Sequence, residues 1–221
     1  MRIGVIGSGL MGSKLGTILA RAGHEVVFSY ARTESKLERL AKEAGGRARA
    51  GTPAEAVADA DAILLAIHWS RLDDALEQAG SMAHKTVVTC SLPMTKNDSR
   101  MVVGLMTSGA EMLAARRRKA HVVSAFSTAP SEVLFSVFEK RKQKTRPDLV
   151  FCGDHKGAKQ TAAKLIRDVG FNPVDLGDLA AARYIEPFSL LLAEIAYKGS
   201  EQGQLAYRFE HLAKRSRARR T

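Results

Sequence analysis

Three glycines are spaced as Gly7-Ser8-Gly9-Leu10-Met11-Gly12, immediately after an apolar run and ahead of a helical pattern. That spacing suits the binding of a nucleotide diphosphate. Gly7 allows a tight turn out of a strand, Gly9 leaves room for a pyrophosphate to approach the backbone, and Gly12 lets a helix pack close to the sheet. The amides of the first helical turn, from Ser8, Gly9, Leu10 and Met11 onward, would point at the phosphates, where the helix dipole adds partial positive charge.

About 20 residues further on, a dinucleotide site chooses its cofactor. The segment Ser29-Tyr30-Ala31-Arg32 has no acid to accept ribose hydroxyls, while Arg32 and Lys36 supply cations. A 2′-phosphate would be repelled by a carboxylate and clamped by a guanidinium, so the charges select NADP(H) over NAD(H). Three loops at strand ends would then line the crevice where ligands bind. They carry Ile67, His68 and Trp69, then Leu92 and Pro93, then Ser127, Thr128 and Ser131. Trp69 is the only tryptophan and could wall the cofactor site. His68 reads as a hydrogen-bonded structural residue more readily than as a proton donor. No residue is assigned a catalytic proton transfer. No Tyr-x-x-x-Lys pair, nucleophile elbow or zinc-ligand spacing is present, and no metal is expected. Hydride transfer between bound partners needs no such pair, only reacting atoms held ~3–3.5 Å apart.

These residues require strands and helices in alternation. Positions 1–6, 25–30, 47–50, 60–67, 85–91 and 121–126 read as strands, with helices at 13–22, 34–44, 70–79 and 108–118 between them. Thr52-Pro53 should cap and open a further short helix. That alternation predicts a Rossmann-type, doubly wound α/β fold with a mostly parallel sheet. Later come strands at 148–152 and 172–176 around a helix at 155–168. A helical stretch from about 178 to 198 should be kinked or divided by Pro187, and a last helix should cover about 203–214. The expected organisation is an NADP-binding domain over 1–126, a smaller lobe over 127–213 that completes the acceptor pocket, and a basic tail over 214–221.

The chain has 221 residues and a net charge of +11. Fourteen cations lie in three runs without acids, 116–119, 140–146 and 214–220, leaving the remaining 20 cations against 23 acids. The body is thus mildly acidic, with basic patches attached. Solvated helix ends and loops account for such runs. They contain no interleaved aromatics, which argues against a nucleic-acid partner. No apolar stretch has the ~18 residues of a membrane span. Cys90 and Cys152 are the only cysteines and read as inert core, so a cytoplasmic setting is expected.

Longer stretches carry a family likeness. GVIGSGLMGSKLG, AGHEVVFSYAR, AIHW, VVSAFSTAP and CGDHKGAKQTAAKLIRDVGFNPVDLGDLAAARYIEP together resemble the NADP oxidoreductases dependent on coenzyme F-420, a deazaflavin. The same core resembles the NADPH-binding part of the six-transmembrane ferric reductases. The resemblance implies NADP on Ser8, Gly9, Leu10 and Met11, with its 2′-phosphate near Tyr30–Arg32 and Lys36. It implies an acceptor ring between the Leu92-Pro93 and Ser127–Ser131 loops, and a homodimer joined partly by C-terminal helices. Two positions depart from the pattern: His68 replaces an expected proline and Ser127 an expected histidine. The other readings weighed are a non-catalytic NADP-binding redox sensor, a reductase of a ferric chelate or imine, and nucleic-acid association through the basic runs. Imine and hydroxyacid reductases carry a long all-helical C-terminal part, whereas 148–176 here reads strand–helix–strand.

Overall fold

The structure, a computed structural model, describes residues 1–198 and 202–210. Its frame is an eight-stranded sheet. Six strands alternate with helices in the first part of the chain: β1 (Arg2–Ile6), α1 (Leu10–Arg21), β2 (Glu25–Ser29), α2 (Glu34–Ala44), β3 (Arg47–Ala50), α3 (Pro53–Ala58), β4 (Ala62–Leu65), α4 (Leu72–Ala79), β5 (Thr86–Thr89), α5 (Gly109–Arg116) and β6 (His121–Ser124). Then follow α6 (Leu134–Glu139), β7 (Asp148–Gly153), α7 (Lys156–Val169), β8 (Asn172–Asp175) and α8 (Ala182–Lys198).

The strand order is β3-β2-β1-β4-β5-β6-β7-β8. The first six strands are mutually parallel, and the order reverses direction between β1 and β4. That reversal opens a crevice at the carboxyl ends of β1 and β4, which is where an open α/β sheet binds its ligand. The expected Rossmann-type fold is therefore present.

Both faces of the sheet are covered, which is why central strands such as β4 (AILL) are buried throughout. One face packs Leu15, Ile18 and Leu19 of α1, Leu37 and Leu40 of α2, Phe138 of α6 and Ile166 of α7. The other packs Leu72 and Leu76 of α4, Leu113 of α5 and Ile185 of α8. Local signals agree with these boundaries. Thr52 and Glu55 form a reciprocal capping box with Pro53 at the first helical position. Gly23, at φ +94°, closes the end of α1 by donating to the Ala20 carbonyl at 3.0 Å.

Four features differ from the sequence expectation. β7 pairs antiparallel with β6, so β7 and β8 run against the other six strands. A 3-10 turn at Ser131–Val133 and α6 occupy a stretch that carried no expected element. α8 runs unbroken through Pro187. The missing proline N–H removes one helical bond, but Ala182, Ile185, Ser189 and Leu192 of the same helix are buried on the core and hold it together. The helix expected at 203–214 is absent over its described part: 204–210 is an irregular strap. There the Tyr207 carbonyl accepts from Asp148 N at 2.8 Å, and Phe209 N donates to the Asp148 carboxylate at 2.6 Å. Those contacts with β7 replace helical ones. The basic tail 214–221 lies outside the described residues.

Candidate active site

The Gly7–Gly12 loop leaves β1 and turns into α1. Gly7 sits at φ +105°, and a β-carbon there would meet the Ala66 carbonyl oxygen at 2.3 Å. At Gly12 a β-carbon would fall 1.8 Å from the Gly7 carbonyl oxygen. Loop and helix can pack this closely only without side chains. Gly9 is different: a β-carbon there would meet nothing within 4 Å. Gly9 is also the N-cap of α1, with no side chain capping the helix and no acid in its first turn. The first-turn amides therefore have no helical acceptor, and the space beside Gly9 is open, which is the arrangement an anion completes. On this observation the residues present fit a dinucleotide diphosphate. Leu10 is exposed beside them and Met11 half-buried.

Ser8 and Ser29 are both buried, and their hydroxyls are turned into the protein. Ser8 Oγ donates to the Ser29 carbonyl at 3.0 Å and Ser29 Oγ to the Val5 carbonyl at 2.8 Å. Gly7 N and Ser8 N donate to the Ser29 and Tyr30 carbonyls. These bonds hold the glycine loop against the end of β2.

Tyr30 follows at φ +59°, outside the usual range for a bulky residue. Its hydroxyl donates to Asp74 and accepts from Arg71 Nε at 3.3 Å, while Arg71 and Asp74 pair at 3.5 Å. Burial, with Asp74 beside it, pushes the Tyr30 phenol up, and the Tyr30 hydrogen bond holds the Asp74 carboxyl down. Arg71 and Asp74 were not visible as site residues in the sequence, because their place beside Tyr30 depends on β4 lying next to β1. Arg32 is exposed and Lys36 half-buried, and neither forms an ion pair among the described residues.

Across the crevice, Ile67 N donates to Ser91 Oγ at 3.3 Å. His68 Nδ1 accepts from Ser70 N at 3.1 Å, so Nε2 carries the proton and donates to Asp98 at 2.9 Å. Both ring nitrogens are occupied, which fits the structural reading of His68. Trp69 opens a 3-10 turn, with the Arg116 guanidinium 5.6 Å from its ring centroid. Pro93 is buried and Leu92 half-buried.

The Ser127–Ser131 loop is held from three directions. Ser189 Oγ of α8 and Ser127 Oγ share a 3.1 Å hydrogen bond, and Thr128 Oγ1 shares a 2.8 Å hydrogen bond with the Tyr207 hydroxyl. Lys14 of α1 donates to both the carbonyl and the hydroxyl of Ser131, each at 3.1 Å. The loop thus joins the glycine-loop helix to the carboxyl-terminal strap. Lys14 and Tyr207 meet it only through long-range contacts. Cys90 and Cys152 are buried, and burial pushes both thiols up to about 12, so neither is a nucleophile near neutral pH. Among the described residues no three metal-ligating side chains come together.

Comparison with known proteins bears on this geometry. Residues 2–93, from β1 to the Pro93 loop, match a family model. The family is "NADP oxidoreductase coenzyme F420-dependent". The match covers both the glycine loop and the arginine-bearing end of β2, and it shows the resemblance read from the sequence. Among curated proteins, the rat metalloreductase STEAP3 is 28% identical over 191 residues, covering 86% of this chain but 37% of that protein. The chain therefore spans well under half the length of this relative. Among solved structures, an Arthrobacter sp. FB24 protein described as an F420-dependent NADP reductase has a TM-score of 0.82 at 21% identity, covering 96% of this chain and all of its own. The hypothetical protein SMa0349 of Sinorhizobium meliloti has a TM-score of 0.72 at 27% identity over 82% of this chain and 88% of its own. A reductive aminase of Aspergillus terreus, crystallised with NADPH, has a TM-score of 0.63 at 19% identity over 89% of this chain and 60% of its own. The family matched is one of NADP-dependent oxidoreductases, and the fold is that of these structures.

Proposed function

We propose that this chain binds NADP(H) along the Gly7–Gly12 loop and transfers a hydride between it and a planar acceptor such as the deazaflavin coenzyme F-420 or a flavin. The observation that carries the reading is the start of α1. Its first-turn amides are uncapped, Gly9 faces open space, and the neighbouring strand end offers Arg32 without an acid. In this reading Gly9, Leu10, Met11 and Gly12 hold the diphosphate through backbone amides, while the Ser8 amide, expected among them, already donates to the Tyr30 carbonyl. Tyr30, Arg32 and Lys36 take the adenosine side, with Arg71 behind Tyr30. Ile67, His68 and Trp69 line the nicotinamide half.

When bound, NADPH supplies a hydride, and a two-electron acceptor completes its reduction with a proton from solvent. The chain's own part is positioning and the exclusion of water. Leu92 and Pro93 form one wall of the acceptor space and Ser127, Thr128 and Ser131 the other. Lys14, Ser189 and Tyr207 fix the second wall. A group that only aligns two rings needs no proton donor, which agrees with a His68 whose nitrogens are both engaged.

The exposed side chains Tyr184, Leu191 and Ile195 recur on α8 at helical spacing and offer an apolar face for a second copy of the chain. This supports a homodimer built on α8. No helix among the described residues is long and apolar enough to cross a membrane, and a cytoplasmic setting belongs to the same proposal. The 28% identity with part of a metalloreductase favours a second acceptor class, ferric chelates, of which two would take one electron each per NADPH with release of one proton. Stopped-flow absorbance at the NADPH band, with deazaflavin, flavin and ferric chelate offered in turn, separates the two. Oxidation by the planar rings alone supports the first reading, oxidation by the chelate alone supports the second, and none with any acceptor refutes both.

A further inference from the structure

Among the described residues Glu186 is the most deeply buried carboxyl, 2% exposed, and the proposed hydride transfer does not use it. It projects from α8 onto the start of α5. Its Oε2 accepts from Gly109 N at 2.9 Å and its Oε1 from Ala110 N at 3.0 Å. A β-carbon at Gly109 would lie 3.1 Å from Pro93 Cδ, 3.2 Å from Trp69 Cζ3 and 3.3 Å from Glu186 Oε1. Three residues from three other segments thus converge on one glycine, and two of them, Trp69 and Pro93, border the proposed reaction crevice.

We infer that Glu186 is a positioning residue: its carboxylate locks the start of α5, and through Gly109 sets how far Trp69 and Pro93 reach toward the acceptor. The inference rests on the oxidoreductase reading for the word acceptor, but the contact itself does not. Ionised, the carboxylate accepts both amides. Protonated, it has one oxygen left as a good acceptor, and one amide at the start of α5 loses its partner. Burial pushes this carboxyl up to about 7, against the pull of the two amides, so the change falls in the neutral range.

The charged and titratable neighbours are few. Glu111 of α5 lies nearby but is tied to Arg183 of α8 at 2.6 Å, which holds its carboxyl low, so it stays ionised across this range. Arg116 lies over Trp69 and pairs with Asp73 at 3.2 Å. Cys152 of β7 is neutral. His68, bonded to Asp98, adjoins Trp69, so a variant at His68 serves as the control.

Trp69 is the only tryptophan, so its fluorescence reports this contact without turnover. Wild type and H68N should both show an emission transition between pH 6 and 8, and E186Q should show none. Gln keeps one acceptor oxygen and cannot ionise, so E186Q should resemble the protonated state at every pH. In turnover assays the wild-type KM for the acceptor should rise about 3- to 10-fold from pH 8 to pH 6, the worth of one hydrogen bond, with kcat nearly constant. E186Q should have the raised KM throughout. Should E186Q fail to fold, A110P removes one donor within the first helical turn, where proline is tolerated, and should move the transition to higher pH. A transition that survives in E186Q, disappears in H68N, or is missing from wild type would overturn the inference. If the fluorescence transition depends on Glu186 but no acceptor is reduced, it is the oxidoreductase reading that fails.

Discussion

Gly9 and Gly12 belong to one motif, yet the structure predicts opposite outcomes for the same substitution. At Gly12 an added methyl would lie 1.8 Å from the Gly7 carbonyl oxygen. Relief requires α1 to move off the loop, an overpacking of the kind that costs about 1–3 kcal/mol or more. Gly12→Ala should therefore lower the unfolding midpoint visibly. At Gly9 the methyl meets no atom within 4 Å, and the backbone at φ −77°, ψ −164° is extended and open to alanine. Gly9→Ala should leave stability unchanged or raise it by about 0.4–1 kcal/mol, by restricting the unfolded chain. The space the methyl fills is the space proposed for the diphosphate. Losing even one charge-assisted phosphate contact, at about 1.5–3 kcal/mol, weakens NADPH binding roughly 10- to 100-fold. Urea unfolding and calorimetric titration of the two variants give both quantities. A Gly9→Ala protein that is stable and binds NADPH like wild type would refute the placement of the phosphates.

Three further outcomes are expected. Arg32→Ala should cost roughly 1.5–3 kcal/mol of NADPH binding and almost none of NADH binding, since only the former carries the 2′-phosphate; equal losses in paired titrations would show that Arg32 does not read it. His24 is buried, with Nε2 on Asp168 at 2.9 Å and Nδ1 without a partner, and burial outweighs Asp168 in lowering its pKa. A lowered histidine contributes stability that is complete above about pH 6.5 and is lost as pH falls through the folded value, so His24→Gln should flatten the fall in urea midpoint between pH 7 and pH 5. Thr52→Ala removes one half of a capping box and should cost about 1 kcal/mol in the same assay without changing NADPH affinity.

The parts of this molecule that can be read from sequence are those whose cause is local. The glycine spacing, the apolar runs of β1 and β4, and Thr52-Pro53 each specify their structure within a few residues. Strand direction is not local: Leu149–Phe151 would be equally apolar in either sense, and only the pairing of Val123 with Gly153 shows β7 running backwards. The strap at 204–210 has a spacing that suits a helix, but the Tyr207 hydroxyl finds Val150 N at 3.0 Å and Thr128 at 2.8 Å, and those tertiary bonds outweigh a marginal local preference. Lys14, Arg71, Glu186 and Tyr207 were unreadable as site residues for the same reason: each acquires its partner from a distant segment. Ser29 lies where the sequence places it, at the end of β2, but its hydroxyl faces Val5, which spacing alone cannot reveal.

Calorimetric titration of the purified chain with NADPH and with NADH tests the phosphate-binding start of α1 most directly. Saturable binding of NADPH, clearly tighter than that of NADH and weakened by Gly9→Ala, is the expected result. Failure of both nucleotides to bind at millimolar concentration would contradict it and leave only the fold.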